Sequence, residues 1–447
     1  MTNILILGAG LCSGAMIKYV LQEAEKNGWN VTIGDVDPEK ANQKVNNHPN
    51  GRGTWLDVTK VNDRRDLIAR TDVVISMLPA HLHLEVAHDC IKLNKQFLTS
   101  STVSHELYRL GDEARDRELI YTGQMGLDPA VEHMVAKKKL NELRAQGATI
   151  TAFRSYTGGL IAPEYLGNNP WKYKFTWNPR NTVLMGQGTA QYLENKKLKY
   201  IPYHRLFESY KLVDIKGVGE FEMYPNRDSL LHKEAYGLEG IPSVLRGTLR
   251  YPGFCDGWNA LIKLGVTDGS YPILNAKNMS FHEWMDAYVS GEPGSSVKDR
   301  IANKLGDIAS FKVMKQLEWL GLFRKKKINI RTATPALLLE RILLDKWQLK
   351  PDDKDLVLVQ QEYEYELNGQ QHLLTNTLTM KGKDADHTAI DRYIGLPIAI
   401  LTKMVMNGDI TDTGINVSLS EKIYEPVLKE LAEHGFVFKE ELTVINE

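Results

Sequence analysis

Between Asn3 and about Gly126, short β-rich apolar runs alternate with amphipathic helical stretches. ILILG is followed by a helix to Lys26, VTIGD by one around Pro38 to Asn46, and TWLDV by one near Asp63 to Ala69. DVVISML precedes a helix near Leu82 to Leu93, QFLTSS one near Ser104 to Glu118, and ELIYTG closes the series. Strands separated by helices must pair in parallel, because only a crossover returns the chain in the same direction. The expectation is an α/β protein built on a Rossmann-type doubly wound parallel sheet.

The turn after the first strand sharpens this. In ILILGAGLCSGA, Gly8 permits a tight turn and Gly10 lets the backbone approach a pyrophosphate. Leu11 and Cys12 carry the chain to Ser13, the third small position, where helix and strand pack closely. The helix that follows presents its N-terminus to the anion. This departs slightly from a strict GxGxxG, since Ser13 takes the third place and Gly14 follows it. Asp35 ends the second strand about twenty residues on, where an acid would bond a ribose diol, and Asp37 could do the same job. A carboxylate about 4 Å from a 2'-phosphate costs roughly 4 kcal/mol per charge pair at an effective dielectric of about 20, so NAD is expected over NADP. Asp57 after the third strand is placed near adenine, with a helix cap as its alternative. Leu78 and Pro79 after the fourth strand and Ser100 after the fifth are placed near the nicotinamide.

The 447 residues exceed one ordinary core, so two or three domains are expected. Lys plus Arg number 55 against 56 for Asp plus Glu, which gives no global field for nucleic acid or an anionic membrane. Cys12, Cys90 and Cys255 lie far apart, which argues against disulfides and structural zinc and favours a reducing, cytoplasmic setting. The most apolar later stretch, Ile394 to Met406, is broken by Pro397 and Lys403, so no membrane span is expected. His81, His83 and His88 lack metal-ligand spacing and nearby carboxylates; a solvated or capped helix is expected, and no metal site.

Past Asp128 the texture changes. ATITAFRSYTGG, KLVDIKG and FEMYP read as strands of a mixed α/β domain, while residues 251–332 are helical and form an insertion. LVLVQQEYEYEL and QQHLLTNTLTMKG then alternate around Asn368 and Gly369 as an antiparallel hairpin. The expected organisation is a dinucleotide domain at 1–127, a mixed domain at 128–250 and 333–392, and the insertion at 251–332.

Several stretches carry a more specific likeness. LTSSTVSHEL, GQMGLDPAVEHM, SYTGGLIAPE, NNPWKYKFTW, YPNRDS, VLRGTLRYPGF, LEWLGLF and EKIYEPVLKEL, spread over nearly the whole chain, resemble saccharopine dehydrogenase of the glutamate-forming kind, also called saccharopine reductase. The resemblance implies a dinucleotide domain completed by about residues 393–447, and a mixed substrate domain that supports a homodimer. It also implies a small-molecule amino-acid substrate: saccharopine is oxidised at its secondary amine and the imine hydrolyses to glutamate and 2-aminoadipate 6-semialdehyde.

That substrate carries three carboxylates, and the planar fork of Arg pairs with such groups bidentately. Arg227 in YPNRDS and Arg246 in LRGTLR match the family's substrate-binding motifs; a local pair with Asp228 is the alternative for Arg227, and Arg250 is the alternative to Arg246. Tyr156 and Thr157 in SYTGG, Thr102 after TSS and Lys174 in KYKFTW, with Tyr173 and Trp177 beside it, complete the substrate candidates. Asp128 in GLDPA matches the motif aspartate and is the acid/base candidate, an Asp before Pro being otherwise a turn starter. His133, five residues on, is a supporting candidate. The family usually shows Tyr where Thr102 stands and Cys where Thr157 stands, and Thr cannot ionise near neutral pH. Those two departures leave open a carboxyspermidine-type C–N dehydrogenase, and a protein that senses NAD(P) without turnover is the reading from another class.

Overall fold

The computed structural model describes residues 2–101, 103–126, 130–231, 233–291 and 294–445. The chain divides into two compact units, residues 1–149 with 382–439 and residues 150–381 with 440–447.

Unit 1 is the doubly wound sheet. Its strands β1 (Asn3–Leu7), β2 (Asn30–Asp35), β3 (Gly51–Trp55), β4 (Val73–Ser76), β5 (Gln96–Thr99) and β6 (Ile120–Gly123) pair in parallel in the order β3-β2-β1-β4-β5-β6. A seventh parallel strand, Gly414–Val417, adds beside β6 from far downstream. The helices α1 (Gly14–Asn27), α2 (Pro38–Val45), α3 (Val61–Ala69), α4 (His83–Lys92) and α5 (His105–Asp116) make the crossovers, and α6 (Val131–Ala145) follows β6. Strand alternation turns Leu5, Leu7, Val74, Phe97 and Tyr121 into one core layer with Ile68, Val86, Ile91, Leu107 and Leu110 of α3, α4 and α5. On α1 packs the buried helix Ala389–Asn407, where a Cβ on Gly395 would fall 2.9 Å from the Met16 amide nitrogen, so only glycine allows the approach. The strand order reverses between β1 and β4, and ligands of such sheets bind outside the carboxyl ends there.

Two boundaries differ from expectation. α6 belongs to unit 1, because Lys138 pairs with Glu425 at 2.5 Å and Asn141 donates to the Tyr424 hydroxyl, both partners being on the helix Glu421–Glu433. The chain returns to unit 1 at Gly382, ahead of the expected 393, since Asp391 on the helix Ala389–Asn407 accepts from the Ala15 amide of α1 at 2.8 Å. Such partners lie hundreds of residues apart, and local periodicity carries no trace of them.

Unit 2 holds a mixed sheet. Its strands are β7 (Thr149–Ile161), β8 (Thr189–Glu194), β9 (Lys197–Pro202), β10 (Lys211–Ile215), β11 (Gly219–Pro225), β12 (Ser243–Arg250), β13 (Asp355–Leu367) and β14 (Gln370–Lys381). They run in the order β10-β11-β12-β7-β13-β14, the strand Lys439–Ile445 follows β14, and the β8–β9 hairpin joins β12. β12 pairs with β7 in parallel and with β11 antiparallel. Asn368 and Gly369 both take positive φ, +52° and +77°, the two-residue turn expected for the β13–β14 hairpin. Helices between Phe254 and Trp347 enclose a separate core that includes Trp171, Trp258, Trp284 and Trp347. No helix among the described residues is long and apolar enough to cross a membrane.

Candidate functional site

The turn leaving β1 forms a tight, open backbone cradle. Gly8 takes φ +102° and donates to the Gly34 carbonyl at 2.9 Å, and a Cβ there would stand 3.1 Å from the Met77 carbonyl oxygen. Side chains are excluded twice over, by backbone conformation and by space. A Cβ on Gly10, by contrast, would meet nothing within 4 Å, so the backbone here faces open space at the N-terminus of α1. Leu11 is exposed and Cys12 half-buried on the turn, while buried Ser13 donates its hydroxyl to the Gly10 carbonyl at 2.9 Å. The close packing expected at Ser13 falls on Gly14, whose Cβ would lie 2.9 Å from Asp391 Oδ2. That same oxygen accepts from the Ala15 amide at 2.8 Å, so a residue 376 positions away secures the first turn of α1. The open Gly10 backbone and the α1 N-terminus fit a dinucleotide's pyrophosphate.

The two candidate acids differ in their partners. Asp37 caps α2, accepting from the Lys40 amide at 3.2 Å and pairing with the Lys40 ammonium at 3.4 Å. Asp35 is half-buried beside the cradle: its Oδ2 accepts from the Ala9 amide at 2.6 Å and its Oδ1 from the Asp37 amide at 2.9 Å. Each carboxylate oxygen has a second lone-pair direction, so a ribose diol can still be accepted. Lys44, which the sequence reading passed over, donates from α2 to the Gly10 carbonyl and to Ser13 Oγ at 3.0 Å. Burial pushes its ammonium pKa down, against the opposing pull of Asp391, Cys12 and Asp35. Asp57 accepts from the Thr59 amide and hydroxyl, at 3.0 and 2.7 Å, and so closes the turn ahead of α3. These bonds hold its carboxyl below the usual range.

At the exits of β4 and β5 stand half-buried Leu78, exposed Pro79 and half-buried Ser100. Thr102 and Asp128, two of the residues singled out from the sequence, lie outside the described residues. The expectation of solvated histidines on α4 is corrected at His83, which is 4% exposed. Its Nδ1 lies 2.8 Å from Ser76 Oγ and its Nε2 lies 2.7 Å from Ser101 Oγ. Burial lowers its pKa to about 4, so the ring is neutral. On α6, Glu132 and His133 are both buried. Burial pushes the Glu132 carboxyl up to about 8 and His133 down to about 3, and the Tyr393 hydroxyl donates to Glu132 Oε2 at 3.2 Å. Sequence reasoning named His133 and missed Glu132, because nothing local reveals that a helical Glu faces inward.

In unit 2 the register of β7 and β12 sorts the candidates by face. Arg246 stands opposite Ser155 and Thr248 opposite Thr157, so Arg246 and half-buried Thr157 share one face. Tyr156 points to the other, where its hydroxyl donates to Glu362 Oε2 at 3.2 Å among the apolar residues around Leu245 and Leu249. Arg246 is half-buried, and burial lowers its guanidinium pKa to about 10, still fully charged near neutrality. Arg227 is exposed just beyond β11, with φ +47° and its carbonyl accepting from the Gln191 amide. Asp228 turns instead to the Gln191 side chain at 2.5 Å and to the Leu230 amide at 2.8 Å. Arg250 is buried, its guanidinium 5.2 Å from the Tyr173 ring centroid and 5.4 Å from that of Phe254, which marks it as a packed core cation. The charge expected from Lys174 is not at hand for a ligand: Lys174 is buried and pairs with Asp353 at 2.5 Å. Tyr173 is buried against Trp347 and Phe254. Trp177 is half-buried.

Comparison with known proteins fits this arrangement. Residues 4–122 match the saccharopine dehydrogenase NADP binding domain and residues 126–436 the saccharopine dehydrogenase C-terminal domain. The chain belongs to the saccharopine dehydrogenase family. Within the family it is similar to "Saccharopine dehydrogenase [NADP(+), L-glutamate-forming]" of Saccharomyces cerevisiae, 31% identical with 99% of each chain covered. The enzyme of the same name from Schizosaccharomyces pombe is 30% identical, again over 99% of both. The mouse mitochondrial alpha-aminoadipic semialdehyde synthase is 29% identical, with 99% of this chain matched to 48% of that longer protein. The solved apo structure of the L-Glu-forming saccharopine dehydrogenase from Saccharomyces cerevisiae superposes with a TM-score of 0.87 at 29% identity, covering 99% of this chain and 100% of that one. The Rossmann unit is accordingly a pyridine-nucleotide-binding unit of this family.

Proposed function

We propose that this chain oxidises the secondary amine of saccharopine with NAD, yielding L-glutamate and 2-aminoadipate 6-semialdehyde after imine hydrolysis, or runs the reverse reductive condensation. The reading is carried by the match over 99% of this chain and of the fungal enzymes named for the L-glutamate-forming reaction. Gly8, Gly10, the α1 N-terminus and Asp35 would hold the dinucleotide, whose nicotinamide supplies the hydride acceptor. Support for NAD comes from Asp35, a carboxylate placed where a 2'-phosphate would need a cation, although the fungal relatives are named for NADP(+). Arg246 and Arg227 grip substrate carboxylates, and Thr157, on the same strand face as Arg246, donates or accepts a hydrogen bond. Asp128 accepts the proton that leaves the amine before oxidation and helps activate the water that opens the imine. In solution the chain forms a homodimer.

The test mixes purified protein with saccharopine and either NAD or NADP and follows reduced nicotinamide at 340 nm. Reduction with NAD, together with glutamate in the product mixture, supports the assignment. Turnover of a carboxylated polyamine and none of saccharopine overturns the substrate; equal rates with the two dinucleotides overturn the cofactor preference.

A further inference from the structure

His83 holds two strand exits together. It opens α4, yet its ring is turned inward between Ser76, the last residue of β4, and Ser101, two residues beyond β5. Thr99 closes the arrangement: its hydroxyl donates to the Ser76 carbonyl at 3.0 Å and accepts from the Ser101 amide at 3.2 Å. A neutral imidazole donates at one nitrogen and accepts at the other, so both serine hydroxyls are fixed by a single ring. Ser101 then passes the constraint on, because its carbonyl accepts from the Gln124 amide at 2.9 Å, one residue after β6. Gln124 takes φ +59°, a conformation that strains a non-glycine residue and persists only when its surroundings enforce it. Two glycines let the same loops touch: a Cβ on Gly123 would lie 2.3 Å from Val103 Cγ2, and one on Gly126 2.6 Å from the Ser100 carbonyl oxygen. These are the carboxyl ends of adjacent parallel strands, the edge where such a sheet meets its ligand, and the segment leaving β6 runs on to Asp128.

Resting on the function proposed above, we infer that His83 is a positioning residue: by bridging Ser76 and Ser101 it sets the β5 exit and, through Ser101 and Gln124, the start of the segment that carries Asp128. A ring serving only as filler would be replaceable by any side chain of similar volume. A positioning ring is replaceable only by one that still reaches Ser101. Gln places an amide where Nε2 stands, and Asn where Nδ1 stands, so the two substitutions separate the roles.

The experiment measures steady-state saccharopine oxidation with NAD for the wild type, His83→Gln, His83→Asn and Ser101→Ala, alongside NAD affinity by fluorescence titration and thermal midpoints. His83→Asn and Ser101→Ala are expected to lower kcat about 30-fold with KM for both substrates and NAD affinity within about twofold, as for a reacting group displaced by a fraction of an ångström. His83→Gln recovers most of that loss although its midpoint drops as far as that of His83→Asn. Wild-type kcat in Ser101→Ala, or equal activity in His83→Gln and His83→Asn, overturns the inference and leaves the function standing. A wild type that binds NAD but oxidises no saccharopine overturns both.

Discussion

Asp35→Asn separates the charge of this side chain from its shape. The amide keeps an acceptor for the Ala9 N–H, whose 2.6 Å bond otherwise fixes the second half of the glycine turn, so the cradle stays formed. What is lost is the negative charge, together with the second oxygen that accepts from the Asp37 amide. A ribose 2'-phosphate about 4 Å from the carboxylate meets roughly 4 kcal/mol of repulsion per charge pair at an effective dielectric of about 20. Asp35 is half-buried, and salt with a Debye length of about 8 Å screens the exposed side, so about 2 kcal/mol is the usable figure. That corresponds to about a 30-fold gain in kcat/KM with NADP. NAD loses a charge-assisted bond to its ribose, about 1 kcal/mol or fivefold. The ratio of kcat/KM for NADP over NAD should therefore rise about 100-fold, read at 340 nm with saccharopine saturating. A change below about threefold would refute the assignment of Asp35 as the discriminating group.

Gly8→Ala combines an unfavourable φ of +102° with a Cβ 3.1 Å from the Met77 carbonyl; it should lose about 2 kcal/mol of stability in urea titration and weaken dinucleotide binding by calorimetry. Arg246→Ala is expected to raise KM for saccharopine about 100-fold with little change in midpoint, whereas Arg250→Ala, which empties a cage of Tyr173, Tyr224 and Phe254, should lower the midpoint by several degrees. Stability should follow a dome in pH. His83 and His133, held neutral down to about 4 and 3, make the unfolded chain bind more protons below about 6.5, so stability falls there as pH drops. Glu132, held protonated up to about 8, makes the folded chain bind more protons above about 4.5, so stability falls with rising pH at about 1.4 kcal/mol per unit until that value is passed. The maximum lies near about pH 6.5 in chemical denaturation, and Glu132→Gln should flatten the alkaline limb.

Periodicity made the parallel sheet legible, because the strands and helices from β1 to β6 are short, regular and bounded by turn residues, and the β13–β14 turn was spelled out by Asn368 and Gly369. Gly8, Gly10 and Asp35 were readable for a like reason: a strand, a turn and a helix in sequence fix their geometry. What escaped depends on partners far away in the chain. Lys174 looks like a free cation until Asp353, 179 residues on, takes it, and Asp391 has no visible tie to α1. His83 escaped because its helix reads as amphipathic whichever face is inward, and only Ser76 and Ser101 reveal the ring's direction. Tyr156 and Thr157 are neighbours in sequence, yet the strand pleat sends them to opposite faces.

The late return of the chain to unit 1 has a consequence for biosynthesis. Asp391, which braces α1, and the strand Gly414–Val417, which completes the sheet, leave the ribosome only after all of residues 150–381. A nascent chain that has made β1 through β6 thus holds an unfinished nucleotide cradle with its β6 edge still unpaired while the second unit is still being translated. Premature termination anywhere before about residue 417 would leave that edge uncovered, an aggregation hazard that a chain with its Rossmann unit wholly at the front would escape.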